Sequence, residues 1–374
     1  MTVRVNKQPF NIREKLSELE RPVGVKGHEL MRAETAQEAR DLVSAGRKNM
    51  VINGDMRISQ RVGTTATTIT SGGFVIDRYR CEDNTAGSTT HQQVTDAPPG
   101  FHNSLKVTVT GTDATVNAGD FHYFRHIIEG NNINHLNWGS SNAKTVTLSF
   151  WVKSSVTGNH GGSLWNNAFN RSFPFNYRIN VADVWEHKSI TVPGCPDGTW
   201  ESGTARGINI GFVQNVGSTY QGPPGQWNSA GDVGPTNHVN LTATNGATWY
   251  ITGIQLEVGR NATDFEHRSY GEELALCKRY YQKIGDTATN EITLGGYSVS
   301  GSTIYHSIQL PVEMRVVPTL TQVGSLYSVR TGQPGSLSGH RGRKGFGVSH
   351  VTTGDGNYLL ASNANAYFVL DAEL

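Results

Sequence analysis

From Val51 onward the chain is dominated by apolar and polar residues alternating with a period of two. In Thr145–Lys153, Val146, Leu148, Phe150 and Val152 share one parity, while Thr145, Thr147 and Ser149 share the other, which predicts a strand with one buried face. Leu105, Val107 and Val109 alternate in the same way, as do Ile208, Ile210 and Phe212, and then Tyr250, Ile254 and Leu256. Turn-rich stretches such as Asn131–Ser141 and Ser218–Thr236 separate them. Many short strands joined by long loops predict a mainly β fold, with an antiparallel jelly-roll sandwich over residues 48–270. Strands at Thr303–Leu310, Leu320–Val323, Tyr358–Leu360 and Tyr367–Leu370 predict a smaller C-terminal β domain over 286–374, with a glycine-rich, basic middle at Gly332–Gly356.

The period changes to that of a helix in two places. Residues 1–47 carry nine Lys or Arg and seven Asp or Glu, about twice the charge density of the whole chain. Asn11 and Glu14 form a capping box ahead of Ile12, Leu16 and Leu19, and Pro22 ends that helix. Thr35 and Glu38 repeat the box ahead of Ala36, Ala39, Leu42 and Val43, with Gly46 as C-cap. Helices this short need a partner for their apolar stripes, so Ile12, Leu16, Leu19 and Leu42 are expected to dock the chain onto sister chains or another protein. Ser269 and Glu272 open a further helix, 271–285, carrying Leu274, Cys277, Tyr281 and Ile284 and connecting the two β regions.

Composition narrows the classes. Of 374 residues 43 are glycine and only 17% are charged, with a formal charge of +1, so no general field draws the chain to nucleic acid or an anionic membrane. Cys81, Cys195 and Cys277 show no disulfide or zinc-site spacing and are expected to be buried free thiols, as suits a chain made in a reducing cytoplasm. Without an apolar run of membrane length or a signal core, the protein is expected to be soluble and to leave its cell of synthesis by lysis.

At Asn49–Arg61, NMVINGDMRISQR, the sequence resembles the opening of a broad group of phage tail-fibre and virion-appendage proteins. Further matches follow in order: Phe74–Tyr79 (FVIDRY), Ile128–Asn131 (IEGN), Trp138–Gly139, Thr147–Val152 (TLSFWV), Trp185 and Tyr250–Gly259 (YITGIQLEVG). Asp264–Arg268 (DFEHR), Glu273–Tyr281 (ELALCKRYY), Met314–Thr319 (MRVVPT) and Ala372–Leu374 complete the set, and Glu38–Gly46 is similar to the connector helices before fibre modules. The resemblance implies a virion component, usually trimeric, in contact with the bacterial surface. Val51–Asp55 and Trp249–Leu256 also resemble the first and last strands of jelly-roll carbohydrate-binding modules. Those modules commonly hold a structural calcium, for which Asp55 is the ligand that survives here, Thr252 and Gly253 standing where an acidic pair is common.

Sugar recognition needs flat apolar faces and fixed polar groups. Trp138, Trp165, Tyr220 and Trp227 sit in loops beside Asn, Gln or Ser and are the glycan-binding candidates, with packing as the competing role. Trp151 and Trp249 lie on strands and are assigned to packing. Arg341, Arg343 and Lys344 in HRGRKGF form a candidate grip for anionic receptor groups. No GxSxG, HExxH or phosphate-loop pattern occurs, and Glu129 and Glu257 read as structural carboxylates, so no enzyme, catalytic residue or cofactor is expected. The expectation is therefore a homotrimeric tail-fibre subunit that attaches to host surface glycans. A purely structural virion adaptor and a polysaccharide depolymerase are the alternatives.

Overall fold

The structure, a computed structural model, describes residues 48–69, 71–285, 291–299 and 302–374. The two N-terminal helices, with Ile12, Leu16, Leu19 and Leu42, lie outside the described residues. Two antiparallel sheets form the sandwich. The first runs β1 (Phe74–Ile76), β2 (Tyr79–Asp83), β5 (Phe121–Glu129), β10 (Arg206–Val216), β7 (Gly158–Asn166), β8 (Ser172–Ile179). The second runs β3 (Ser88–Val94), β4 (Ser104–Gly111), β13 (Thr248–Val258), β6 (Val146–Ser154), β9 (Glu186–Val192). A two-residue parallel pair, β11 (Gln221–Gly222) and β12 (Gly234–Pro235), ties the long loop after β10.

The alternation explains how the sheets face each other. Val146, Leu148, Phe150 and Val152 of β6 all point inward and have no exposure, as their parity predicts. Phe150 meets the edges of Tyr177 and Phe212 at 5.1 and 5.0 Å, and Phe212 packs against Trp249. Such edge contacts add about 0.5–1.5 kcal/mol each beyond the area buried. Strand β3 departs from the rule: its inward residues, Thr89, His91 and Gln93, are polar and buried.

The C-terminal region holds a three-stranded sheet, β14 (Tyr281–Ile284), β22 (Tyr367–Asp371), β17 (Thr319–Val323), and a six-stranded one. The latter runs β15 (Thr293–Ser298), β21 (Gly356–Ser362), β18 (Leu326–Ser328), β19 (Pro334–Arg341), β20 (Gly345–Val351), β16 (Thr303–Gln309), and its edge strands β15 and β16 lie against each other. The one α-helix among the described residues, α1 (Tyr270–Lys278), has the expected capping box: Ser269 Oγ accepts from Glu272 N at 3.3 Å, and Glu272 Oε2 from Ser269 N at 3.0 Å. It stops well short of residue 285. Tyr281–Ile284 is a strand because β22 offers backbone partners from Asp371 to Phe368, and aromatic and β-branched residues gain from that pairing.

Several of the family-like segments meet where the sandwich joins the C-terminal strands, within the single compact unit Asn49–Leu374. Asn53 Nδ2 donates to the carbonyls of Ile58 (2.8 Å) and Asp77 (3.0 Å), and Arg268 Nη1 to that of Val51 (3.0 Å). Arg78, fully buried, lies 3.5 Å over the Tyr280 ring and pairs with Glu373. Arg279 pairs with Glu129 at 2.7 Å, and Tyr280 Oη donates to the same carboxylate at 2.8 Å. Arg315 closes the joint on the carbonyls of Ala372 and Glu373, both at 2.8 Å. Most of these buried charges are paired and hydrogen-bonded, as burial demands, though Arg78 Nε and Asp55 Oδ1 are buried without a hydrogen-bond partner. Asp55, the calcium candidate, belongs to this joint as well, buried and paired with Arg57.

Candidate functional site

The outer face of the five-stranded sheet carries a cleft of about 350 Å³ lined by Phe101, Ser149, Trp151, His187, Asp264 and Phe265, with Gly253 beneath and His267 at its side. Each strand contributes through its register. Trp151 on β6 and His187 on β9 are direct cross-strand neighbours, their ring centroids 5.2 Å apart. On the other side Trp151 faces Thr252 of β13, where the pairing register slips before Gln255. Gly253 occupies that bulge at φ +64°, and a Cβ there would come within 2.7 Å of the Phe101 ring and 3.1 Å of Trp151. The bare backbone is thus what lets Phe101 and Trp151 close over the floor. Phe101 meets Phe265 edge-on at 5.0 Å, and His267 meets Phe265 at the same distance, forming an aromatic wall from two loops.

Polar groups line the same space. Ser149 lies at the base, Thr263 and Asp264 at the rim. Partial burial, with Lys188 beside it, pushes the His187 imidazole below its ordinary range, so at neutral pH it is uncharged and offers one donor and one acceptor. The face continues along the strands: Lys153 sits 4.2 Å over the Tyr250 ring and 5.3 Å from Trp185, whose indole N–H donates to Asp96 at 3.1 Å. A flat, partly buried ring with hydroxyl, imidazole and carboxylate groups around it can stack on the C–H face of a sugar and read its hydroxyls. The volume is at the low end of the roughly 300–1,000 Å³ typical of small-ligand sites.

The aromatic candidates are placed elsewhere. Trp165 is corrected: it has no exposure, meets Tyr123 edge-on at 5.7 Å, and lies under the loop carrying Val233 and the half-buried Tyr220. Tyr220 packs edge-on against Phe121 at 5.6 Å in the same cluster. Trp138, Trp200 and Trp227 form a mutual edge-to-face triad with centroids 4.7–5.7 Å apart. Their indole N–H groups donate to the carbonyls of Lys144, Asp197 and Pro193 at 2.8–3.1 Å, so the triad closes the core. Trp249 is buried in the core as expected, whereas Trp151, though partly packed, points to the outer side of its sheet. The parity of TLSFWV, which sets Trp151 with Thr147 and Ser149, is the signal that places it outward.

Arg341, Arg343 and Lys344 do come together, along a groove of about 980 Å³ that includes Tyr305 and His340. Arg343 pairs with Glu313 at 2.8 Å and Lys344 approaches it at 3.8 Å, so the groove's charge is partly neutralised.

No protein-family model matches the sequence, and no curated protein sequence matches it. Among solved structures the chain is similar to the enzymatically active domain of bacteriophage CBA120 tailspike protein 4, at 14% identity over 56% of this chain and 21% of that one, TM-score 0.30. The chain thus spans about a fifth of that tailspike's length. It is also similar to a CBM4 structure (15% identity, 56% of this chain, 99% of that one, TM-score 0.28). A third likeness is TmCBM61 in complex with β-1,4-galactotriose (10% identity, 49% and 88%, TM-score 0.25). TM-scores of this size carry no argument about ligand or activity.

Proposed function

We propose that this chain is a tail-fibre-type virion protein that binds host surface glycans, with the Trp151 cleft as the sugar site. The observation that carries the reading is the partly buried Trp151 ring set between His187 and Gly253, beside Ser149 and Asp264, in a cleft that two loops leave open on the sheet's outer face. Binding suits it better than hydrolysis, because Asp264 is the one carboxylate among the residues lining the cleft and glycoside hydrolysis commonly needs two. The ordered tail-fibre-like segments support the virion setting, and the three buried free cysteines suit synthesis in a host cytoplasm. Self-association into a trimer finds a surface on the C-terminal six-stranded sheet, where Tyr297 and Tyr305 are 64% and 65% exposed and Val351 58%. Three weak sugar sites on one particle would then act by avidity. Residues 1–47 would dock this assembly onto the virion.

Calorimetric titration of the purified chain with host surface polysaccharide fragments tests the sugar site. Trp151→Ala is expected to lower affinity about five- to thirtyfold, since loss of a stacking ring removes about 1–2 kcal/mol, while leaving the melting temperature near that of the parent chain. Unchanged affinity would move the site elsewhere. No binding by the parent chain, with normal particle assembly, would favour a structural adaptor, and new reducing ends in the mixture would point to a depolymerase.

A further inference from the structure

A second cluster lies inside the sandwich, apart from the cleft. Cys81 on β2, His91 on β3 and His122 on β5 each place a ligand atom within 4.8 Å of the other two, and all three side chains are fully buried. The strands come from both sheets: β2 and β5 are neighbours in the six-stranded sheet, and β3 is the edge of the five-stranded one. The neighbouring strand shows what ordinary packing would use. Across from His91 stands Val107, flanked on the inward face of β4 by Leu105 and Val109.

The hydrogen bonding of this cluster is incomplete. Thr89 Oγ1 lies 2.9 Å from His91 Nε2 and 3.4 Å from His122 Nε2, while Nδ1 of both rings is buried without a partner. Phe124 packs against both rings, at 4.8 and 5.7 Å between centroids. Two buried imidazole nitrogens left unsatisfied next to a thiol need an explanation that packing does not supply.

We propose that Cys81, His91 and His122 bind a soft or borderline transition-metal ion, zinc(II) or copper(I), which clips the two sheets together at this edge. One sulfur and two imidazole nitrogens are the donor set that such ions prefer over calcium or magnesium. With Nε2–H of each ring donated to Thr89, the hydroxyl oxygen fixes the tautomer and leaves Nδ1 as the coordinating lone pair, the usual outer-shell arrangement for ligating histidines. Bonds of about 2.0 Å to nitrogen and 2.3 Å to sulfur put ligand atoms roughly 3.5 Å apart, so the cluster tightens by about an ångström on binding. Binding breaks the Cys81 S–H bond, forms the metal–sulfur bond and releases one proton to solvent, with no change of oxidation state. Copper(I) thiolate is neutral and satisfied by three ligands; zinc(II) leaves a positive charge and a fourth position for water.

The test uses the full-length, tag-free chain purified without chelators. After equilibration with zinc(II), or anaerobically with copper(I), elemental analysis should find one ion per chain that survives gel filtration and raises the melting temperature. X-ray absorption should show one sulfur and two nitrogen ligands. Cys81→Ala and His91→Gln are expected to lose the ion, whereas Cys277→Ala, at another buried cysteine, keeps it. Failure of the parent chain to hold either ion, a shell without sulfur, or full retention by Cys81→Ala overturns the proposal. If the variants do not fold, the ligand shell of the parent chain decides.

Discussion

Trp165 and Trp151 exchange the roles that their neighbours in sequence suggest. Trp165 sits in GGSLWNNAFN, whose amides look available to a ligand, yet Asn166 Nδ2 donates to Thr199 O at 3.0 Å and the Trp165 ring lies against the backbone of Gly211. A side chain so placed is worth its cavity: Trp165→Ala should cost about 3–5 kcal/mol in urea unfolding and leave sugar affinity per folded molecule unchanged. Loop polarity misled because a loop folded back on a sheet, here the one carrying Val233, is invisible to local composition. Trp151 was legible by parity alone, since any residue in step with Thr147 and Ser149 must leave the sheet on their side. Phe101, Phe265 and His267 gave no such signal. They reach the cleft only through the path of two loops, which no periodicity encodes.

The strands themselves were read well, because a buried face on every second residue is a local property. The end of α1 was not, since Leu274, Cys277, Tyr281 and Ile284 keep helical spacing while β22, almost ninety residues later, supplies the backbone partners that turn Tyr281–Ile284 into a strand. Several of the family-like segments, among them Asn49–Arg61, Asp264–Arg268, Glu273–Tyr281 and Ala372–Leu374, find a place in the joint between sandwich and C-terminal strands, while TLSFWV lies on β6 and Trp138 in the core triad. Arg279→Ala leaves the buried Glu129 carboxylate with only Tyr280 and Asn131, and should cost about 2–4 kcal/mol by thermal or urea unfolding. The bulge in β13 belongs to this scale too. Gly253→Ala pays the strain of a positive φ, about 1 kcal/mol, and pushes its Cβ into Phe101, so titration should show weakened sugar binding from a chain that still folds.

For the whole molecule, buried ionisable groups set a pH dependence whose direction can be worked out. His126, His160 and His238 are held below the ordinary imidazole range, in each case chiefly by burial, with the Arg78 guanidinium adding to it at His126. Below about pH 6.5 the unfolded chain takes up protons on these rings that the folded chain refuses. Their contribution is therefore complete above that pH and is lost progressively as the pH falls. Asp77 works the other way: burial outweighs Arg61 and the Gln60 hydrogen bonds and raises its carboxyl to about 6. Its contribution is complete below about pH 4, the unfolded carboxyl value, and is lost as the pH rises through 6. The two effects oppose each other between about pH 4 and 6, where three imidazoles outweigh one carboxyl. The melting temperature should accordingly fall between pH 7.5 and about 4.5. Asp77→Asn removes the opposing contribution and should steepen that fall, whereas His160→Gln should make it shallower. A melting temperature that rises on acidification would mean that these rings are protonated in the folded chain, and hence that the sandwich interior is wetter than its packing implies.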